Sequence, residues 1–154
     1  MIVEIDGYFI GLKFKDDYLV ANTIPLKSKP KGFGELSDEY LDIAEIILKL
    51  YFAKMSDKEA RKKVKHKLLV SPFIKKVLIF ITNIPMGKTV TYGDVAKALN
   101  TSPRAVGRAL NKNPLPLLYP CHRVVAKDSL GGYAYGLEEK KVILDREIKN
   151  FKYK

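Results

Sequence analysis

The chain holds one cysteine, Cys121, in the run Asn113-Pro114-Leu115-Pro116-Leu117-Leu118-Tyr119-Pro120-Cys121-His122-Arg123-Val124-Val125. Only a thiolate is a strong nucleophile, and an unperturbed thiol with a pKa of about 8.5 is only a few per cent ionised at neutral pH. The two residues that follow can correct this. Positive neighbours lower a thiol pKa, and a histidine within hydrogen-bond reach, directly or through a water, can take the proton. The chemistry on offer is therefore attack by sulfur. A solitary cysteine is most often a small buried core residue, and adjacent residues of an extended strand point to opposite faces. Cys121 and His122 cooperate only if the backbone turns at them. One cysteine excludes an internal disulfide and a multi-thiolate metal site, and His66 and His122 leave little else to ligate zinc. No metal and no cofactor is expected.

The elements that must position this run are helical and punctuated. Ser71-Pro72 is a cap followed by proline, and the pattern predicts a helix through about residue 83. After a turn at Pro85–Lys88, Thr91 can cap a helix over 92–99, and Ser102-Pro103 starts another over about 103–111. Two short helices joined by a tight turn, the second one basic, is a helix-turn-helix pattern, and an ordinary helix pair in a core would look similar. Arg104 and Arg108, four apart, share one face beside the small residues Ala105, Gly107 and Ala109.

The first half reads differently. Residues 2–5, 8–14 and 18–24 carry strand patterns with Asp-rich turns between them. Ser37 is positioned to cap a helix over 38–54, whose Leu41, Ala44, Leu48 and Tyr51 form an apolar stripe. Ser56-Asp57-Lys58-Glu59 has capping-box spacing and opens a basic segment to Lys67. The reading is one α/β layout in two domains: residues 1–69 as structural support with a mixed or antiparallel sheet, residues 70–154 mainly helical. Phe73 and Phe80 are expected in the core, with Tyr51 and Phe52.

Charge is placed unevenly. Residues 1–70 hold 13 Lys plus Arg against 11 Asp plus Glu, and residues 71–154 hold 15 against 6, within a total of +11. A basic second half suits a phosphate backbone, although a lysine-rich solvated surface would read alike. The acidic start lacks the pattern of a signal peptide, and no run of about eighteen apolar residues occurs. A cytoplasmic location without membrane contact is expected.

With these motifs in order, the chain resembles the O6-alkylguanine-DNA alkyltransferases, also called methylated-DNA–protein-cysteine methyltransferases. Pro-Cys-His-Arg-Val-Val stands at 120–125 and Asn-Pro-x-Pro at 113–116. Ile84-Pro85-x-Gly87, Thr91-Tyr92-Gly93, Arg104-Ala105-Val106-Gly107, Gly132-Tyr133 and Gly136-Leu137 complete the set, before a closing helix with Leu144 and Glu147. The likeness is dense over about residues 70–149. It implies a ribonuclease-H-like first domain and a winged-helix catalytic second domain that acts as a monomer on duplex DNA containing O6-alkylguanine, with no obligate protein partner.

The resemblance also implies roles. Cys121 would accept the alkyl group permanently from O6 of guanine, and also from O4 of thymine. His122 would be its base through a water, oriented by Glu147. Tyr92 would donate to N3 of the base, and Asn113 would bridge the recognition helix and the cysteine turn. Arg104 would enter the stack in place of the extruded nucleotide, with Ser102, Ala105, Gly107, Arg108 and Arg123 completing the DNA-binding surface. Pro116, Val124, Tyr133, Ala134, Tyr135 and Gly136 would line the base pocket. The chain departs from the family at Tyr135, where relatives often have a small residue, which bears on bulky adducts. Pro103 and Arg108 replace small residues on the groove-facing helix. The rival readings are a non-catalytic alkylguanine-recognising DNA-binding protein, a cysteine hydrolase and a winged-helix regulator; the first lacks a nucleophile, and neither of the others explains the whole motif set.

Overall fold

The computed structural model describes residues 1–151. These form two compact units: Met1–Leu69 with Pro114–Leu118, and Val70–Asn113 with the chain from Tyr119 onward. Residues 114–118, expected with the second domain, thus belong with the first.

In the first unit, strands β1 (Ile2–Ile5), β2 (Tyr8–Lys15) and β3 (Tyr18–Asn22) make an antiparallel meander in that order. Both hairpins turn on two residues with positive φ, Asp6-Gly7 (51° and 82°) and Asp16-Asp17 (51° and 67°). That left-handed pair matches the twist of the flanking strands, and Asp and Gly are the residues that tolerate it. Val3, Ile10, Leu12 and Leu19 are fully buried on this sheet, with Ala44 and Ile47 of helix α1 (Leu41–Tyr51). The helix starts later than the sequence suggests. Its N-cap is Tyr40, while Ser37 Oγ accepts the Glu39 amide at 3.2 Å in a local turn. Leu41, the first member of the predicted stripe, is consequently 45% exposed. Helix α2 (Asp57–Lys63) begins as expected, with Ser56 Oγ accepting the Glu59 amide.

The second unit consists of α3 (Pro72–Ile81), β4 (Val90–Thr91), α4 (Tyr92–Leu99), α5 (Pro103–Asn111), a 3-10 turn (Cys121–Arg123), β5 (Val124–Val125) and α6 (Leu137–Phe151). Thr91 caps α4 in a reciprocal capping box with Asp94, and Ser102 Oγ caps α5 through the Ala105 amide. Between them Asn100 takes a left-handed conformation (φ 54°) that ends α4 and lets α5 begin three residues later. The short parallel pair β4–β5 sets Val90 beside Val124 and so ties the start of α4 to the end of the cysteine turn. Phe73 lies at 37% exposure on the first turn of α3, not in the core; Val77, Leu78 and Ile81 are the residues that α3 buries. No helix among the described residues is long and apolar enough to cross a membrane.

Candidate active site

Pro120 is the N-cap of the 3-10 turn, and the Arg123 amide bonds back to its carbonyl at 3.0 Å. The Cys121 amide bonds to the Tyr119 carbonyl at 2.8 Å. The backbone therefore turns where the sequence required it, and Cys121 and His122 leave a tight turn instead of opposite faces of a strand. Cys121 is 9% exposed and His122 fully buried. Burial pushes the Cys121 thiol up from its ordinary value, against a hydrogen bond from Asn113 and the charge of Lys140.

His122 Nε2 lies 3.0 Å from Glu147 Oε2. Its Nδ1 is buried with no hydrogen-bond partner among the described residues. Glu147, on the inner face of α6, also takes two bonds of 2.9 Å from Arg123, Nε to Oε1 and Nη2 to Oε2. Burial would raise the Glu147 carboxyl, but His122 and Arg123 outweigh it and hold it down at about 2. A fixed carboxylate at Nε2 selects the imidazole orientation and leaves Nδ1 to face a proton donor.

Arg123 is the expectation that this geometry corrects. The resemblance puts it on the DNA-binding surface, yet it is 1% exposed, with Nη1 donating to the Ile84 carbonyl at 2.8 Å. A guanidinium enclosed with a carboxylate cannot reach a phosphate. It is a structural partner of Glu147.

A second cluster surrounds the loop of residues 131–136. The Gly132 amide donates to Tyr92 Oη at 3.1 Å, and Tyr92 Oη lies 3.4 Å from the Gly132 carbonyl. Lys140, fully buried on α6, donates from Nζ to the Val124 carbonyl at 2.7 Å and to the Gly132 carbonyl at 2.8 Å. Burial lowers its ammonium to about 8, while the neighbouring Cys121 works the other way. Gly131 (φ 75°) completes the fit: a Cβ there would stand 2.6 Å from the Tyr92 ring. Tyr133, packed at 5.8 Å from Tyr135, has a buried hydroxyl without a hydrogen-bond partner among the described residues, raised well above its ordinary value by burial and then by Cys121. Ala134 and Gly136 are exposed beside these rings. Pro116 is buried, with its carbonyl bonded to Asn22 in the first unit.

The sequence reading missed Lys140 and Gly131. Lys140 precedes Leu144 and Glu147 at helical spacing, so it shares their buried face. A lysine on the apolar side of a closing helix was the available signal.

On α5, Arg104 and Arg108 are exposed, and Ser102 is committed to the cap. Ala105, Arg108, Ala109 and Lys112 line a cleft of about 210 Å³ with Ser71, Phe73 and Ile74. Gly107 is placed under Tyr92, at 3.9 Å from a ring carbon to a Cβ built there. Among the described residues, no group of three or more His, Cys, Asp or Glu side chains could hold a metal ion.

Residues 72–149 match the family description "6-O-methylguanine DNA methyltransferase, DNA binding domain", and residues 2–66 match "Methylated DNA-protein cysteine MeTransferase OGT N-terminal domain". The chain belongs to this family. It is similar to the methylated-DNA–protein-cysteine methyltransferase of Methanocaldococcus jannaschii, with 57% identity over 97% of this chain and 94% of that one. A solved O6-methylguanine DNA methyltransferase from Methanococcus jannaschii superposes with a TM-score of 0.79 at 56% identity, covering 98% of this chain and 95% of that one. An OGT of Mycobacterium tuberculosis in complex with DNA has a TM-score of 0.77 at 23% identity, over 96% of this chain and 92% of that one, a likeness of fold alone. The methyltransferase relatives thus extend over both units.

Proposed function

We propose that this methyltransferase repairs duplex DNA by moving a methyl or larger alkyl group from O6 of guanine onto Cys121, once per molecule. The observation that carries the reading is the cysteine turn itself: one cysteine beside a histidine whose Nε2 is fixed by Glu147 and whose Nδ1 is unpartnered. His122 takes the thiol proton from Cys121 through a water. The sulfur attacks the alkyl carbon, an S–C bond forms, and the C–O6 bond breaks with its electron pair left on the base. Tyr92 donates toward N3 as that charge develops, the role of a preorganised donor. Tyr92 gives its proton to the leaving base, and the proton held by His122 returns to Tyr92 through solvent, so the products are guanine and a neutral thioether.

The alkyl carbon is inside the duplex, so the base must be extruded at a cost of a few kcal/mol, least for a poorly paired lesion. Arg104 fills the stack, and the small residues Ala105 and Gly107 let α5 approach the minor groove closely. Arg108 is a backbone contact. Val124, Tyr133, Ala134, Tyr135 and Gly136 receive the base, and Lys140 holds that loop to β5. The second unit carries binding and transfer, and the first supports it. The protein acts as a monomer in the cytoplasm.

Nucleoside analysis of a lesion duplex after incubation tests this. O6-methylguanine is lost and unmodified guanine gained in amounts equal to the protein added. Turnover beyond one per chain, or release of the base, overturns the reading.

A further inference from the structure

Residues Pro114–Leu118 lead straight into the cysteine-bearing turn, yet they belong to the first unit. Hydrogen bonds within that unit hold every second carbonyl of the segment. The Asn22 amide donates to the Pro114 carbonyl at 2.9 Å, Asn22 Nδ2 to the Pro116 carbonyl at 3.1 Å, and Arg61 Nη1 to the Leu118 carbonyl at 2.6 Å. Asn22 is 3% exposed at the end of β3, and Arg61 is braced on α2 by Asp57, itself 5% exposed.

The segment needs holding. Pro114, Pro116 and Pro120 have no amide hydrogen to donate. Between the gripped carbonyls of Pro116 and Leu118, Leu117 takes a φ of 74°. A leucine keeps a left-handed conformation only where its surroundings over-determine it. Beyond the segment, Asn113 Nδ2 donates to the Tyr119 carbonyl at 2.9 Å and so closes residues 113–119 into a loop. Both ends of that loop engage the nucleophile: Asn113 hydrogen-bonds the thiol, and the Tyr119 carbonyl accepts the Cys121 amide.

We infer that Asn22 and Arg61 are positioning residues for Cys121. They lock the strained Pro114–Leu118 turn and thereby set where Asn113 and Tyr119 hold the thiol. This rests on Cys121 as the alkyl acceptor and adds that residues remote in sequence tune its reactivity.

The test separates transfer from binding. At saturating O6-methylguanine duplex, Asn22→Leu and Arg61→Met slow single-turnover methyl transfer by about ten-fold or more, while the duplex Kd stays within about two-fold. Arg61→Lys restores a donor and recovers most of the rate, and Lys62→Ala, on the exposed face of the same helix, leaves it unchanged. The pH profile of Cys121 alkylation by iodoacetamide shifts in the two slow variants, a readout that lowered stability alone does not move. Should Asn22→Leu fail to fold, Asn22→Ser keeps a polar group but not the reach to Pro116 and carries the same expectation. Folded variants with wild-type rates and profiles overturn the inference. If the wild-type chain transfers nothing while the iodoacetamide profile still shifts, the alkyltransferase reading fails and the positioning role stands.

Discussion

The Cys121 thiol rests in a pocket that disfavours its charged form, so its nucleophilicity has to come from proton removal at the moment of attack. On the proposed reaction, His122 and the carboxylate that fixes it are the partners that supply this. Glu147→Gln removes the charge shared by His122 and Arg123 and leaves a buried guanidinium with a neutral partner. Loss of about 3–5 kcal/mol in urea unfolding is expected, as for other broken buried pairs, together with slower single-turnover transfer. The pH dependence has a definite sign. The folded Glu147 carboxyl is depressed from 4.5 to about 2, so its contribution, of order 3 kcal/mol, is full above the ordinary carboxylate range and is lost as pH falls toward 2. Melting temperature measured from pH 5 to pH 2 falls more steeply in the wild type than in Glu147→Gln. Gly131→Ala drives a methyl into the Tyr92 ring at a positive φ. It slows transfer, with duplex binding kept, in a stopped-flow comparison with the wild type.

The elements that carry these residues are legible where local chemistry decides them. Thr91 and Ser102 cap α4 and α5 as their spacing suggests, because each hydroxyl meets an otherwise unsatisfied amide within the same turn. Ser37 offered the same signal, but its hydroxyl bonded two residues ahead and the helix began at Leu41. Arg123 departs from expectation for a different reason: its neighbours in sequence say nothing of Glu147, 24 residues away, which it bonds in the interior. Lys140 was silent because its partners are backbone carbonyls, and carbonyls have no sequence signature. The exposed cations of α5 give a direct expectation. Arg108→Ala weakens binding to all duplexes alike and lowers the slope of log affinity against log salt by about 1, whereas Arg104→Ala slows transfer to a paired lesion more than to a mismatched one. A fluorescence-anisotropy salt series and single-turnover rates read the two effects separately.

For the molecule as a whole, the motif set revealed the family because the cysteine run, Thr91-Tyr92-Gly93 and the small residues of α5 all stand in one chain and in order. It did not reveal that residues 114–118 belong to the first unit, since the bonds that hold them there are accepted by main-chain carbonyls. Alkylation adds atoms beside Tyr133 and Asn113 in a close-packed place, and overpacking costs typically about 1–3 kcal/mol. The alkylated protein therefore melts several degrees below the free one in calorimetry. Equal melting temperatures contradict that expectation. The central claim is the transfer to Cys121, and intact-mass analysis after incubation with a duplex holding a single O6-methylguanine tests it most directly. The account expects one added methyl group per chain, mapped to the peptide with Cys121 and absent in Cys121→Ser. An unchanged mass with full lesion binding, or a methyl group on another residue, contradicts it.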